Sequence, residues 1–321
     1  MNKDLSFYKE KIDEIKIELS KVIIWQESLI KSLLIALLSG GHIILEWVPW
    51  LAKTLSIQTL SKTLDLDFSR ISFTPDLLPW DLLWWQIYNQ SESKFYTKKW
   101  PIFTNFLLAD EINRAPAKVQ SALLEAMQEK MITIADETFK LDKPFLVLAT
   151  QNPIEQEWTY PLPEAQLDRF MLKTIITYPT KEQEIQIMKI SNEENKINKV
   201  LSKNDLIDLQ SKINDDVFVD DKIYNYVSDI IFATRDATNF KIEKISDYIS
   251  FWVSPRASIS LIKAAKVNAF LNWRNYVVPE DIKELAYDVL RHRIGLSFEA
   301  LWEDISADDI IKIILDNVIV P

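Results

Sequence analysis

The hydrophobic positions in the first half of the chain predict strands that alternate with helices. Short apolar runs typical of buried strands occur at residues 42–45, 106–109 and 145–150. Helical periodicity occurs at residues 12–22, 27–38, 53–64 and 119–129, and a hairpin is predicted at residues 132–134 and 138–141. Strands that alternate with helices are typical of α/β folds, so we expect a parallel sheet flanked by helices.

The hydrophobic pattern changes after residue 178. Residues 181–321 have mostly helical periodicity, and Pro255 and Pro279 stand near predicted helix starts, where proline is favoured. We therefore expect two domains, an α/β core over residues 1–178 and a helical domain over residues 179–321.

Composition and charge narrow the classes of function. The net charge of −10 disfavours nonspecific binding to the nucleic-acid backbone. The absence of cysteine excludes disulfides, thiol catalysis and thiolate metal sites. The longest uncharged apolar stretch, residues 32–45, is shorter than the about 20 residues that span a membrane, and the N-terminus lacks the apolar core of a signal peptide. We expect a cytoplasmic protein without membrane insertion. Of its two histidines, His42 is expected to be packed beside a strand and His292 to be solvated at a helix end.

Glycine is rare in this chain and tryptophan is abundant. The 321 residues include 3 glycines and 11 tryptophans, whereas glycine usually supplies ~7% of residues. Glycine occupies positive-φ turn positions at the lowest steric cost. Either the turns are built unusually, or some tryptophans stand where glycine belongs.

A candidate phosphate-binding loop follows the first predicted strand. Such loops have the pattern G-x-x-x-x-G-K-[ST] between a strand and a helix. Lys53 and Thr54 fit the last two positions, the lysine for the β- and γ-phosphates and the threonine hydroxyl for Mg²⁺. Tryptophans occupy both glycine positions. The candidate nucleotide-binding residues are Trp47, Val48, Pro49, Trp50, Leu51, Ala52, Lys53 and Thr54.

Paired carboxylates follow the predicted strand at residues 106–109. Asp110 and Glu111 come directly after this apolar run. Because Mg²⁺ prefers oxygen ligands, Asp110 is a candidate metal ligand together with Thr54. Glu111 is then placed to polarise an attacking water. Two solvated acids at a strand end are common, so the neighbouring stretches decide between the two interpretations.

Those stretches are specific to one family. They are LLADEINRA at residues 107–115, ATQNP at residues 149–153 and PLPEAQLDRF at residues 161–170. On these motifs, and over residues 22–293, the chain resembles the MoxR family of AAA+ ATPases. The resemblance implies a P-loop AAA+ core followed by an α-helical lid domain.

The resemblance also implies roles for individual residues. Lys53 with Thr54 corresponds to the Walker A pair, and Asp110 with Glu111 to Walker B. Three further catalytic residues are implied, with different tasks. Asn152 corresponds to the sensor 1 residue that helps to position the lytic water. Arg169 corresponds to the arginine finger that reaches a neighbouring subunit's site, and Arg256 corresponds to sensor 2 on the lid.

The implied activity is ATP binding and hydrolysis with Mg²⁺. Family members act as chaperone-like remodelling motors in homo-oligomeric rings, for which we expect a hexamer. Their protein partner is often a von Willebrand factor A domain protein, and no nucleic-acid partner is expected. Two alternatives stay open: a magnesium-chelatase-like motor subunit, which shares the architecture, and a hydrolysis-dead AAA+ scaffold, if Trp47 and Trp50 are real.

The resemblance suggests an explanation for the abundant tryptophan. The family typically has glycine where this chain has Trp25, Trp47, Trp50, Trp84, Trp100, Trp158, Trp252 or its neighbour, and Trp273. The codon UGA differs by one base from the glycine codon GGA and from the tryptophan codon UGG. We hypothesise that UGA encodes glycine in the source organism and was translated here as tryptophan. Literal indoles at positions 47 and 50 would obstruct the approach of phosphate oxygens to backbone N–H groups.

Overall fold

The computed structural model describes residues 4–23, 26–47, 53–89, 94–99, 101–134, 137–151, 159–176, 178–190 and 196–321. The helices are α1 Leu5–Ser20, α2 Glu27–Leu38, α3 Lys53–Thr63, α4 Pro79–Leu83, α5 Ala117–Glu129, α6 Glu164–Leu167, α7 Lys181–Ile190, α8 Lys203–Asp216, α9 Asp221–Ala233, α10 Ile245–Tyr248, α11 Pro255–Leu271, α12 Pro279–Leu290, α13 Phe298–Trp302 and α14 Ala307–Asn317. The strands are β1 Ile43–Trp47, β2 Phe68–Ser72, β3 Trp84–Asn89, β4 Lys94–Lys99, β5 Phe106–Asp110, β6 Met131–Ile134, β7 Glu137–Lys140, β8 Leu146–Gln151, β9 Leu172–Ile176, β10 Ile249–Phe251 and β11 Gly295–Leu296.

Five parallel strands form the central sheet, in the order β2–β5–β8–β1–β9. This confirms the predicted parallel α/β sheet. The three strands with continuous apolar runs occupy its middle, where both faces are covered. The apolar pattern does not predict the outer strands β2 and β9, because these strands mix polar with apolar residues and are only partly buried.

The predicted helices and the predicted hairpin are present. α2 begins at Glu27 and ends at Leu38, α3 begins at Lys53, and α5 contains its predicted segment. β6 and β7 pair in antiparallel fashion. α11 and α12 begin at Pro255 and Pro279, consistent with the preference of proline for the first helical position. None of the described helices is long and apolar enough to cross a membrane.

The parallel arrangement gives the sheet two different edges. The five strands all end at one edge, which we call the carboxyl edge, and begin at the other, the amino edge. Asp110 and Thr150 lie at the carboxyl edge, since Ala109 of β5 pairs with Ala149 of β8. Ligands of open α/β sheets bind outside the carboxyl ends of the strands. The carboxyl edge is therefore the expected place for the nucleotide.

The hydrophobic core is divided by the sheet rather than along the chain. On one face, Leu45 and Leu148 belong to a cluster that includes α1, α2, α3, α8, α9, α11, α12 and α14. On the other face, Ile44 and Val147 pack with α5 and with Ile132 of the β6–β7 hairpin. This alternation has the period of two that strands impose. Because the first cluster includes helices from both sides of residue 178, the two segments of the chain share one core.

One tryptophan has a backbone conformation that favours glycine. Trp273, in the turn between α11 and α12, has a φ of 61°, inside the left-handed region. The Lys9 ammonium lies 5.6 Å from the centre of its ring. For a bulky residue this conformation costs roughly 1–2 kcal/mol, and the family resemblance predicts glycine here. Four of the other such positions lie outside the described residues: Trp25, Trp50, Trp100 and Trp158.

Candidate active site

Asp110 is held in a fixed orientation at the carboxyl edge. It is the last residue of β5 and is only 4% exposed. Its Oδ1 accepts a hydrogen bond from the Thr150 hydroxyl at 2.8 Å, and its Oδ2 lies 2.5 Å from Nη2 of Arg70. β2 and β8 flank β5 and bring these partners together. A buried carboxylate needs such partners to remain charged.

Glu111 differs from Asp110 in backbone conformation and in exposure. Its φ of 59° and ψ of 49° are left-handed, and a 3₁₀ turn over Ile112–Arg114 follows it. Its N–H donates to Oγ1 of Thr150 at 2.9 Å, and its carboxylate lies 3.0 Å from Nε of Arg114. The carboxylate is partly exposed, as a base that activates water requires. Strained backbone at a non-glycine residue is characteristic of functional sites.

Thr150 connects the two acidic residues, although the sequence analysis assigns it no role. Its hydroxyl donates to Asp110 and accepts from the Glu111 N–H, so it fixes the backbone between them. The available signal was its place near the end of an apolar strand, two residues before Asn152. Arg70 is missed for another reason: its strand, β2, is not predicted, so nothing places this arginine beside Asp110.

The described residues place a strand before and a helix after the predicted phosphate loop. β1 ends at Trp47, α3 begins at Lys53, and Thr54 lies in the first turn of α3. The free N–H groups at the start of a helix favour anions. β1 lies beside β8, so this helix start follows the strand next to the one that carries Thr150. The remaining predicted site residues lie outside the described ones: Val48, Pro49, Trp50, Leu51, Ala52 and Asn152.

The donors at the carboxyl edge fit Mg²⁺. The Asp110 carboxylate and the Thr54 hydroxyl are both hard oxygen donors. Over the described part of the chain, no group of three or more His, Cys, Asp or Glu side chains could hold a metal. One carboxylate and one hydroxyl suit an Mg²⁺ ion that also binds phosphate oxygens. Arg70 competes for Asp110, but its side chain is 49% exposed, and such pairs contribute at most ~1 kcal/mol.

Arg169 and Arg256 lie together at the amino edge of the sheet, whereas Asp110 and Glu111 lie at the carboxyl edge. Arg169 precedes β9, and Arg256 lies in the first turn of α11. Both line a cavity of about 240 Å³ at the amino edge, where Nη1 of Arg256 is 3.9 Å from Oδ2 of Asp168. β8 and β1 also lie between β5 and β9 in the sheet, and neighbouring strands are about 4.8 Å apart. The family resemblance assigns the two acidic residues and the two arginines to one reaction. Within a single chain, the fold does not bring the two pairs together.

A buried arginine of the lid holds the segment that carries Arg169. Arg293 is 4% exposed, and its Nε donates to Oδ1 of Asp168 at 2.8 Å. Its Nη2 donates to the carbonyl oxygen of Phe170 at 2.6 Å, and its Nη1 donates to that of Met171 at 3.2 Å. Burial lowers the pKa of the Arg293 guanidinium, although Asp168 opposes the shift. The orientation of this segment therefore depends on the lid.

The expectation that His292 is solvated is wrong. This side chain is 6% exposed, and its Nε2 lies 3.0 Å from the carbonyl oxygen of Phe170, because the chain after α12 packs onto the segment before β9. Burial, with nearby cations, lowers the pKa of His292 well below its usual value, so the neutral ring donates here. His42 is packed as expected. It lies 3.2 Å from the Met127 carbonyl through Nε2 and accepts from the Val147 N–H at 3.0 Å through Nδ1.

Comparisons with known proteins match both segments of the chain. Residues 42–172 match the ATPase family associated with various cellular activities (AAA), and residues 243–314 match the AAA lid domain. The chain is 45% identical over 305 residues to the Mycobacterium tuberculosis protein named Chaperone MoxR1, which covers 95% of this chain and 81% of that protein.

Two further relatives extend over most of the chain. The uncharacterized protein YeaC of Bacillus subtilis is 44% identical over 291 residues, which is 90% of this chain and 88% of YeaC. A solved structure of a Cytophaga hutchinsonii protein, described as a candidate ATPase, is 53% identical with a TM-score of 0.94, over 99% of this chain and 97% of that one. The fold is thus an AAA+ core followed by a helical lid, and the chain belongs to the MoxR family of AAA+ ATPases.

Proposed function

We propose that this chain binds ATP with Mg²⁺ and hydrolyses it to ADP and phosphate within a homo-oligomeric ring. The observation that carries the proposal is that the two acidic residues and the two arginines lie on opposite edges of the sheet. Asp110 and Glu111 lie at the carboxyl edge, whereas Arg169 and Arg256 lie at the amino edge. A head-to-tail contact between copies would complete one site at every interface, and such contacts form a ring when the rotation between copies closes.

In this proposal the start of α3 binds the phosphates. Lys53 would contact the β- and γ-phosphates, and backbone N–H groups of residues 47–52 would bind the phosphate chain. Thr54 and Asp110 hold Mg²⁺, which neutralises charge on the phosphate oxygens when it is bound. The hard-oxygen character of both ligands supports this assignment.

Glu111 is the proposed base that polarises the attacking water. Its carboxylate is accessible, and Thr150 fixes its backbone beside the metal ligand. Asn152 helps to position the water. Arg169 of the neighbouring subunit stabilises the charge that develops on the γ-phosphoryl group, a contribution of about 10³–10⁵ in rate in related enzymes. Arg256 lines the same cavity, so it would act at the same neighbouring site.

Hydrolysis would drive the remodelling of a protein partner. The relative named Chaperone MoxR1 supports this class of function, and a von Willebrand factor A domain protein is the partner to test first. Residues 1–178 would form the nucleotide-binding core and residues 179–321 the lid. Asp168 of the core accepts hydrogen bonds from Ser254 and Arg293 of the lid, so lid movement would reach Arg169. A hexamer and a cytoplasmic location stay predictions.

Replacement of Glu111 tests the hydrolytic step. In the chain with glycine at positions 47 and 50, Glu111→Gln should keep ATP binding and lose turnover, because the neutral amide cannot serve as the base. The matched control is Glu125→Gln, an exposed position on α5, which should keep turnover. Calorimetry measures binding, and phosphate release measures turnover. Full turnover in Glu111→Gln would remove Glu111 from the mechanism.

Mixing experiments test the ring contact. Arg169→Ala subunits keep their own phosphate site, and Lys53→Ala subunits keep their arginine, so each alone should be inactive. Mixtures should recover part of the turnover at interfaces that join an intact carboxyl edge to an intact amino edge. If oligomers form but no ratio restores turnover, Arg169 does not serve a neighbouring site.

A hydrolysis-dead scaffold is the alternative if Trp47 and Trp50 are literal. The left-handed backbone of Trp273 favours the glycine interpretation at one position. Two proteins, one with both tryptophans and one with glycine at both positions, should differ strongly in the dissociation constant for Mg-ATP. Equal affinity of the two proteins would contradict the recoding hypothesis.

A further inference from the structure

The described residues that line the cavity at the amino edge have more positive than negative charge. Its basic lining residues are Lys130, Arg169, Arg256 and Lys263. The acidic residue among its described lining residues is Asp168, whose carboxylate already pairs with buried Arg293 at 2.8 Å. In a chain with a net charge of −10, this concentration of cations indicates an anionic ligand from outside the subunit.

The two lysines extend the cluster beyond the two arginines. Lys263 lies about two helical turns after Arg256 on the same face of α11, so both side chains point toward the cavity. Lys130 lines the same cavity from another element, directly after the end of α5. Desolvation lowers the pKa of the Lys130 ammonium, and repulsion from Lys143 and Lys263 lowers it further. An anion between these groups would relieve that repulsion.

Arg169 has a donor that its own chain does not use. Its Nε is buried and has no hydrogen-bond partner within the described residues. Guanidinium donors match phosphate oxygens well. Because Arg169 lines the cavity, this donor could bind a phosphate group that enters it.

We propose that Lys130 and Lys263 bind the phosphate groups of the nucleotide held by the neighbouring subunit, and form with Arg169 and Arg256 a site of four cations. The inference rests on the proposed function, since it needs the contact between copies. Lysine presents a compact charge with three donors, which suits phosphate oxygens in several directions. The cavity of about 240 Å³ is open to solvent and has room for phosphate groups to enter.

The test uses the full chain with glycine at positions 47 and 50. Lys130→Gln and Lys263→Gln each remove one charge from an exposed side chain, so the fold should persist. Each should raise the KM for Mg-ATP on the order of tenfold, the effect of one charge-assisted hydrogen bond, and weaken its dependence on salt. Lys222→Gln, exposed on α9 and not among the cavity residues, is the matched control and should leave the KM unchanged. Lys130→Arg and Lys263→Arg keep the charge and should keep a near-normal KM.

Mixing then decides whether the lysines act on the neighbouring site. A Lys130→Gln subunit keeps its own phosphate site but has a weakened amino edge. Added Lys53→Ala subunits provide an intact amino edge, so they should restore a low KM. Added Arg169→Ala subunits should not restore a low KM, because their own amino edge lacks the arginine. Rescue by the first and not by the second is the expected result.

The outcomes separate this inference from the proposed function. If Arg169→Ala is inactive and is rescued by Lys53→Ala, while both lysine variants have a normal KM, the inference is wrong and the proposed function stands. If Arg169→Ala keeps full turnover, the contact between copies in the proposed function is wrong, and this inference with it. If the lysine variants lose activity and Lys53→Ala subunits do not restore it, the lysines act within their own subunit, which also overturns the inference.

Discussion

Replacement of Arg293 by methionine tests how strongly the lid holds the segment that carries Arg169. The Arg293 guanidinium is buried, pairs with Asp168, and donates to the carbonyl oxygens of Phe170 and Met171. Methionine is unbranched and flexible and fills irregular space in a core. The change therefore removes a charge and its donors while it leaves the packing largely filled.

The expected loss in the free energy of unfolding is worked out from the partners left behind. Removal of one partner from a buried ion pair costs about 3–5 kcal/mol, because the other charge is left uncompensated. Asp168 keeps a hydrogen bond from the Ser254 hydroxyl at 2.8 Å and the Arg256 cation at 3.9 Å, and the Phe170 carbonyl keeps His292. We therefore expect the lower end of the range, about 3 kcal/mol.

The matched control removes the other arginine beside the same carboxylate. The Arg256 side chain is 49% exposed, so Arg256→Met should cost less than ~1 kcal/mol. Urea unfolding followed by circular dichroism measures both variants, provided that the slope with urea stays constant. Under conditions where it is folded, Arg293→Met should also behave like Arg169→Ala in the mixing experiment. Equal losses in the two variants, or a loss below about 1 kcal/mol for Arg293→Met, would refute the reasoning.

Three further predictions concern the metal site, pH and the tryptophans. Arg70→Met removes a cation that competes for Asp110, so the Mg²⁺ concentration for half-maximal ATP hydrolysis should fall by up to about fivefold; an unchanged value would show that the two cations do not compete. Burial lowers the pKa of His42 from 6.5 to about 4, so the unfolded chain takes up a proton between these pH values that the folded chain does not. The free energy of unfolding should therefore fall by about 3 kcal/mol as the pH falls through this window, and urea unfolding should show a flatter dependence for His42→Gln. Trp273→Gly should be more stable than Trp273→Ala by about 1 kcal/mol, since glycine alone accepts a φ of 61° without strain; equal thermal unfolding of the two would contradict this.

Local patterns in the sequence predicted the middle of the sheet but not its outer strands. β1, β5 and β8 are covered on both faces, so both sets of alternating positions must be apolar, and a continuous apolar run results. β2 and β9 have one neighbouring strand each and keep polar residues between their apolar ones. Such a mixed pattern resembles that of a loop or a short helix, so it identifies no strand by itself.

The same limit applies to the candidate site. Asp110 with Glu111, and Lys53 with Thr54, are neighbours in sequence, and each pair stands where a predicted strand or helix begins or ends. Their chemistry could therefore be predicted without the fold. Thr150 is different, because its hydroxyl matters only once β8 lies beside β5.

By itself, then, the sequence determined the α/β core, the helical lid and the family, and it predicted the chemistry of the contiguous pairs, since all of these depend on residues close together in the chain. Only the tertiary structure decided that Arg169 and Arg256 face away from the acidic residues of their own subunit, because the opposite edges of a parallel sheet cannot be recognised from a motif. It also decided the burial of Arg293, which meets Asp168 across 125 residues of chain. A contact over such a separation forms only when the lid packs onto the sheet, and no local pattern encodes it.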